Sequence, residues 1–215
     1  MNRKKKKASL ILACKKISEM QAEIKELKYM LFGSPEFHMS KVVMKESELD
    51  FVKEEINKNL NLQKNLEEIK FTPLFSTARD GETAKTFHNK CDGKSNSLVL
   101  VKTKEGKRFG GFTSLHWSYA SSGNYGSDSK AFLFSLDKKK CYNINPNSTS
   151  NAIVCNSSIG PVFGSGYDLY ISNCFSTNRD SHTSQSTYNY NNENYSLNGE
   201  QYFVPEVYEV YQLNN

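Results

Sequence analysis

Three neighbouring residues, His88, Cys91 and Asp92, include the side-chain types that nucleophilic catalysis needs. A cysteine nucleophile works beside a histidine base that an acid holds in place. The surrounding pattern predicts a helix over Glu82 to Lys90, and residues three positions apart on a helix share one face. His88 and Cys91 then lie beside Phe87, and a helical cysteine with apolar neighbours is typical of a small core residue. We therefore predict no catalytic residue.

Cys91 has a second candidate role as a redox-sensitive thiol. Such a thiol must be exposed and must have a lowered pKa, and both are properties of the folded protein. A hydrolase or a thiol-dependent redox enzyme that uses Cys91, His88 or His116 therefore stays open as the enzymatic alternative.

The sequence predicts neither a metal site nor a cofactor. The histidines His38, His88, His116 and His182 are scattered, and none pairs with another ligand residue at a suitable spacing. The string Gly164-Ser165-Gly166 lacks the third glycine of a dinucleotide loop and the Lys-Ser/Thr of a phosphate loop. We interpret it as a tight turn before a strand.

Two carboxylates interrupt the apolar and aromatic residues of the last predicted strand. Glu206 and Glu209 are three positions apart, so their side chains point to opposite faces of a strand. Either one or both carboxylates face solvent, or one of them makes a buried or partner-facing hydrogen bond. Asp168, beside the glycine turn, can cap backbone amides or contact a partner.

Short β-like runs separated by Gly, Asn, Ser and Asp follow Pro73. The runs are Ser97 to Thr103, Arg108 to Trp117, Ala131 to Leu136, Asn151 to Cys155, Tyr167 to Ser172 and Tyr202 to Leu213. Many short strands with few helices between them favour an antiparallel β-sandwich over a parallel α/β fold. The only tryptophan, Trp117, is predicted to anchor the core. Residues 176–199 are predicted to form a long surface loop with one edge strand.

Residues 1–70 have the pattern of a charged helical arm. Apolar residues recur at steps of three and four: Leu10, Ala13, Ile17, Met20, Ile24, Leu27 and Leu31. This spacing predicts a helix over residues 10–31 that either self-associates as a short coiled coil or packs on the rest of the chain. Gly33-Ser34-Pro35 predicts a break near residues 33–40. A second, connecting or docking helix is predicted from an N-cap at Ser47 to Ile69. We place the globular domain at residues 71–215.

Charge is distributed unevenly between these two parts. The net charge is +5, with 15 Lys and Arg against 11 Asp and Glu in residues 1–70, and 13 against 12 in residues 71–215. A nearly neutral domain lacks the basic surface that drives nucleic-acid binding. A nucleic-acid or nuclear role would depend on the basic run Arg3 to Lys7, and this reading stays as a second alternative.

Cysteine usage and hydropathy predict where the protein works. The five cysteines are odd in number and form no Cys-x-x-Cys pair, which favours reduced thiols over a disulfide framework. No run approaches the roughly 18 apolar residues of a membrane span. We expect a cytoplasmic protein, with the nucleus as a second location.

Five strings in order identify a family resemblance. They are LFSTARDGETAKTFHNKCDG (74–93), SLVLVKTKEGKRFGGFTSLHW (97–117), KAFLFSL (130–136), SSIGPVFGSGYDLYIS (157–172) and EVYEVY (206–211). Together they resemble a TLDc domain over residues 71–215. The resemblance implies a β-sandwich of two antiparallel sheets with a few short helices, preceded here by the helical arm. The Ser- and Asn-rich stretch 176–199 departs from the family's usual approach to its last strand.

The resemblance also implies a function. The family is associated with resistance to oxidative stress, several members bind and regulate the V-type proton ATPase, and no enzymatic reaction is securely established for the fold. The sequence therefore favours a protein that acts by protein–protein binding, with V-type ATPase subunits as the first candidate partner. The family's recurring acidic residue near the last strand directs attention to Glu206 and Glu209.

Overall fold

Two antiparallel β-sheets form the body of the protein, in a computed structural model that describes residues 11–21, 23–24, 27, 40–118, 123–177, 179–191, 193 and 197–214. The strands are β1 Phe71–Ser76, β2 Ser97–Thr103, β3 Arg108–Thr113, β4 Asn124–Gly126, β5 Phe132–Ser135, β6 Lys140–Asn143, β7 Ile153–Cys155, β8 Val162–Phe163, β9 Leu169–Tyr170 and β10 Pro205–Leu213. One sheet has the order β1-β10-β2-β3-β5-β6 and the other the order β4-β7-β8-β9. The predicted sandwich of two antiparallel sheets is confirmed.

Strand β2 shows how the six-stranded sheet is buried on both faces. Val99 and Val101 belong to a hydrophobic cluster shared with the four-stranded sheet. Leu98 and Leu100 belong to a second cluster on the other face. All four side chains are fully buried, and each such burial contributes about 1.5–3 kcal/mol. The continuous run SLVLV is therefore typical of a strand covered on both sides.

Helix α2, Glu46–Leu60, covers the second face of this sheet. Its buried residues Leu49, Val52 and Ile56 fall at helical spacing and form one apolar stripe. The predicted N-cap at Ser47 is wrong, because the cap position is Lys45. The Glu48 carboxylate instead accepts hydrogen bonds from the backbone N–H of Met44 and Lys45, at 2.9 and 3.2 Å.

An ion pair fixes α2 to the sheet. The Arg108 guanidinium of β3 lies 2.8 Å from the Glu48 carboxylate and 2.9 Å from the Asp137 carboxylate.

Helix α2 ends at Leu60, and its C-cap residue, Asn61, has the left-handed φ of 51°. The predicted continuation to Ile69 is therefore wrong, although a separate 3-10 turn occurs at Leu66–Glu68.

The N-terminal part divides into two differently packed segments. Residues 11–21 form helix α1, and residues 23, 24 and 27 are also helical. The large apolar side chains of these helical residues are about half exposed. By contrast, Val42 and Val43 share a cluster with α2 and the sheet. The division between the arm and the globular domain at residue 70 stays a prediction, although α2 packs on the sheet. The helix break predicted at residues 33–35 lies outside the described residues.

Two short helices follow β1, and the second of them ends at Cys91, the candidate redox thiol. They are α3, Thr77–Asp80, and α4, Ala84–Cys91. The α4 helix confirms the prediction over Glu82 to Lys90, with its start moved to the N-cap Thr83. The Thr83 hydroxyl accepts a hydrogen bond from the Thr86 N–H at 3.2 Å.

Four strands were not predicted from the sequence pattern: β1, β4, β6 and β8. Pro73 lies within β1 and has no N–H to donate, which argues against a central strand. The structure accommodates Pro73 because β1 lies at the edge of its sheet, with a bulge between Pro73 and Phe75. The other three strands have two to four residues each, too few for a periodic pattern.

Residues 176–199 are the clearest error in the predicted organisation. Several of their side chains are buried: Ser181, Thr183, Thr187, Tyr188, Tyr190, Leu197 and Asn198. Tyr188 donates its hydroxyl to the Ala152 carbonyl at 2.7 Å. The segment therefore completes the core between the sheets, and the prediction of a surface loop was wrong because its aromatic residues lie among polar ones.

Gly110 is required by close packing within the six-stranded sheet. A Cβ at this position would lie 2.0 Å from the Val99 carbonyl oxygen and 2.8 Å from the Phe134 ring. No side chain fits such a gap, so glycine lets β3 pair closely with its neighbours.

Candidate functional site

The two carboxylates of β10 occupy opposite environments. Glu209 is 2% exposed, whereas the Glu206 side chain is 47% exposed. A register shift between Pro205 and Val207 separates the start of the strand, with Glu206, from its regular part. The structure thus has one buried and one exposed carboxylate on β10.

The Glu209 carboxylate ties a distant segment to the strand. It accepts hydrogen bonds from the Ser40 hydroxyl at 2.7 Å, the Lys41 N–H at 2.9 Å and the Tyr211 hydroxyl at 3.1 Å. Ser40 in turn accepts from the Val42 and Val43 amides at 3.2 and 3.1 Å. Glu209 is therefore an anchor for the chain that enters α2, and its side chain is not available to a partner in this arrangement.

Glu206 lies at the rim of a surface cleft of about 240 Å³. The cleft is lined by Thr77, Ala78, Gly81, Glu82, Lys104, Phe175, Ser176, Pro205 and Glu206. An ion pair of 2.9 Å joins Glu206 to Lys102 on β2. Glu82 accepts hydrogen bonds from the Ser176 hydroxyl and, at 3.1 Å, from the Ser176 N–H. The lining thus combines the carboxylates of Glu82 and Glu206, the ammonium group of Lys104 and the buried aromatic ring of Phe175.

Asp168 is fully buried and caps backbone amides. Its carboxylate accepts from the N–H groups of Ser186, Thr187 and Tyr188 at 2.9–3.1 Å. Burial raises the pKa of Asp168, and the hydrogen bonds from these amides act in the opposite direction. Of the two predicted roles, amide capping is the one the geometry displays.

The glycine turn next to Asp168 is part of the same arrangement. Gly164 has a φ of 83° and accepts a hydrogen bond from the Tyr167 N–H at 3.1 Å. A Cβ on Gly164 would lie 2.1 Å from the nearer Asp168 carboxylate oxygen. Glycine is therefore needed both for the left-handed backbone and for the space that the carboxylate occupies.

Cys91 lacks the properties of a reactive thiol. It is fully buried in the core between the sheets. Burial raises the pKa of the Cys91 thiol, and the negative charges of Asp92 and Asp80 raise it further. A redox-sensitive thiol requires exposure and a lowered pKa, and neither condition is met.

His88 is fully engaged in structural hydrogen bonds. Its Nδ1 lies 2.8 Å from the Asp92 carboxylate, and its Nε2 lies 2.9 Å from the Asn156 carbonyl and 3.2 Å from the Ile159 carbonyl. A carbonyl oxygen only accepts hydrogen bonds, so Nε2 donates to the carbonyls of residues 156 and 159. His88 therefore joins α4 to residues 156–159 and does not activate Cys91, while His116 lies on the exposed surface.

Trp117 has the predicted role of a core anchor. It is 1% exposed, and its indole N–H donates to the Ser97 hydroxyl at 2.8 Å. Its ring makes edge contacts with Phe87 and Phe163, at centroid distances of 5.6 Å. These contacts link α4 to both sheets.

Two further features, a metal-ligand cluster and a membrane-spanning helix, are absent from the described residues. These residues contain no group of three or more His, Cys, Asp or Glu side chains placed to hold a metal ion. Within the same ranges, no helix is both long enough and apolar enough to cross a bilayer.

Sequence reasoning missed Ser40 and Lys102. Ser40 is 169 positions from Glu209, and no local pattern could pair them. For Lys102 the sequence predicts the strand, β2, but it does not predict that β2 pairs with the start of β10. Only the strand order, known from the fold, brings Lys102 beside Glu206.

The comparisons with known proteins agree with this architecture. A family model described as the TLDc domain matches residues 39–214. A search among curated proteins finds no match. The family match begins just before Ser40 and thus includes the segment anchored by Glu209, together with α2 and both sheets. It covers most of the chain, which belongs to the TLDc domain family.

Proposed function

We propose that this TLDc protein acts by binding another protein, with V-type ATPase subunits as the first candidate partner and resistance to oxidative stress as its cellular role. The observation that supports the proposal best is the position of Glu206. It is the one of the two β10 carboxylates that is exposed, and it lies at the rim of a cleft.

The size and charge of this cleft suit a protein partner. Small-molecule pockets usually measure about 300–1,000 Å³ and enclose most of their ligand, whereas this cleft measures about 240 Å³. A single partner side chain or a turn fits a cleft of this size. The mixed charges of Glu206, Glu82 and Lys104 at its rim would set orientation and association rate more than affinity.

The burial of the thiol supports a binding role in stress resistance over direct thiol chemistry. Cys91 is inside the core, and the nearby His88 donates to backbone carbonyls. An enzyme that uses this pair would have to open the core to reach its substrate. A protein that alters the activity of its partner needs no such opening.

Affinity purification of the full chain tests this proposal. We expect the tagged wild-type protein to retain V-type ATPase subunits under gentle, ATP-containing conditions, and Glu206→Lys to retain clearly less. Glu67→Lys makes the same charge change at an exposed position on the 3-10 turn, and it should retain as much as the wild type. Recovery of no ATPase subunit by the wild type would overturn the choice of partner. Equal recovery of ATPase subunits by Glu206→Lys and Glu67→Lys would exclude the cleft as the binding site.

A further inference from the structure

Helix α1 presents an apolar stripe that is about half exposed. The exposed fractions are 55% for Ile17, 58% for Met20, 49% for Ile24 and 52% for Leu27. Their spacing of three and four places them, with Ala13, at the a and d positions of a heptad repeat. Apolar side chains in this pattern gain stability when a second helix covers them.

We propose that α1 pairs with the same helix of a second copy of the chain, in antiparallel orientation, to form a two-helix seam. This inference is independent of the partner-binding function and uses a different surface. The sizes of the seam residues favour antiparallel over parallel pairing, and the charges that flank them are complementary in the antiparallel register.

The sizes of the seam residues are complementary only in the antiparallel arrangement. In a parallel pair each seam residue meets its own copy, so Ala13 would face Ala13 and leave a gap. In an antiparallel pair an a position faces a d position. With Ile17 opposite Met20, the next layer places Ile24 opposite Ala13, so that a large side chain fills the space beside a small one.

The flanking charges are complementary in the same register. Lys16 and Glu23 are exposed and occupy successive g positions. Antiparallel helices bring g positions together, and the register set by Ile17 opposite Met20 places Lys16 beside Glu23 of the second copy. The two-fold axis generates this pair twice. By heptad position, a parallel pair would instead place Lys16 beside the uncharged Gln21 and Glu23 beside Lys28. The charge on Lys16 therefore distinguishes the two arrangements in an experiment, but it does not by itself select one of them.

The seam is short, so its association is weak. Three heptads bury few apolar side chains, and isolated helices of this length are marginal in water. We therefore expect a dimer that forms in the micromolar range of concentration and dissociates on dilution.

Sedimentation equilibrium of the full chain over a micromolar concentration series tests the proposal. Lys16→Glu replaces two attractive pairs with two repulsive ones and should raise the dimer dissociation constant about five- to tenfold. Lys15→Glu makes the same change at the neighbouring outward-facing f position and should leave the constant unchanged. The double variant Lys16→Glu/Glu23→Lys should restore dimerisation, and Ile17→Asp should abolish it. A monomer at every concentration, or equal constants for Lys16→Glu and Lys15→Glu, would overturn the proposal.

Cysteine cross-linking determines the orientation directly. In a Cys14→Ser background, chains with Ala13→Cys are mixed with chains carrying Ile24→Cys and oxidised, and linked peptides are identified by mass spectrometry. The antiparallel seam predicts a 13–24 link between different chains. Leu27→Cys alone should give no link, because antiparallel helices place the two copies of residue 27 about 25 Å apart along the axis. A 27–27 link without a 13–24 link would establish the parallel arrangement and contradict the proposal.

Discussion

The buried carboxylate of Glu209 accepts a hydrogen bond of 2.7 Å from the hydroxyl of Ser40, 169 positions earlier in the chain. This contact joins the segment before α2 to a strand of the six-stranded sheet. Glu206, on the same strand, is exposed and paired with Lys102. One strand thus holds the fold together with one carboxylate and presents the other at the cleft.

We predict that Glu209→Gln destabilises the protein by about 1–3 kcal/mol, because it removes a charged acceptor from three buried or half-buried donors. Urea unfolding measures the loss, and hydrogen exchange should show faster exchange at the Lys41 amide. Glu206→Gln is the matched control on the same strand, and its stability should stay close to that of the wild type. Equal stability of the two variants would contradict the anchoring role of Glu209.

Asp168→Asn should destabilise the segment that this carboxylate caps. An asparagine amide has only one acceptor oxygen, and its NH₂ group would face the N–H groups of Ser186 to Tyr188. We expect a loss of about 2–3 kcal/mol in urea unfolding, with faster hydrogen exchange at those three amides. Asp180→Asn, at an exposed position, should have little effect. Unchanged exchange at residues 186–188 would rule out the capping role.

The pH dependence of stability should reveal the raised pKa of Asp168. Burial raises the pKa of this carboxyl in the folded state, so the folded protein binds the proton more tightly than the unfolded chain does. Its contribution to stability is therefore complete below the ordinary Asp pKa of about 3.9 and is lost as pH rises through the raised value. The stability difference between wild type and Asp168→Asn should be larger at low pH. A difference that grows with pH would show that the amide hydrogen bonds outweigh burial.

Cys91 should resist alkylation in the folded protein. Its burial and raised pKa leave little accessible thiolate, whereas Cys14 is exposed. Timed treatment with iodoacetamide followed by mass spectrometry should show early modification of Cys14, and modification of Cys91 only in denaturant. Rapid native-state labelling of Cys91 would reopen its role as a redox thiol.

Six of the ten strands in the described residues and the buried cysteine were predictable because their signals are local. The run SLVLV has the apolar continuity of a strand buried on both faces, and the spacing of Phe87 and Cys91 indicates a helix face. The start of α2 was missed because the Glu48 carboxylate accepts hydrogen bonds from the N–H groups of Met44 and Lys45, which places the N-cap at Lys45, ahead of Ser47. The packing of residues 176–199 depends on Asp168, and the cleft depends on strand order. Neither relationship leaves a periodic pattern in the sequence.

A binding measurement with purified components tests whether V-type ATPase subunits bind this protein at the cleft beside Glu206. The full chain is titrated against isolated V-type ATPase subunits in a calorimeter, with Glu206→Lys and Glu67→Lys measured in parallel. We predict saturable binding by the wild type and by Glu67→Lys. Glu206→Lys should bind at least about tenfold more weakly, because it reverses the charge that the partner meets and places a second ammonium group beside Lys102. No binding by the folded wild-type protein, or equal affinity for all three proteins, would contradict this prediction.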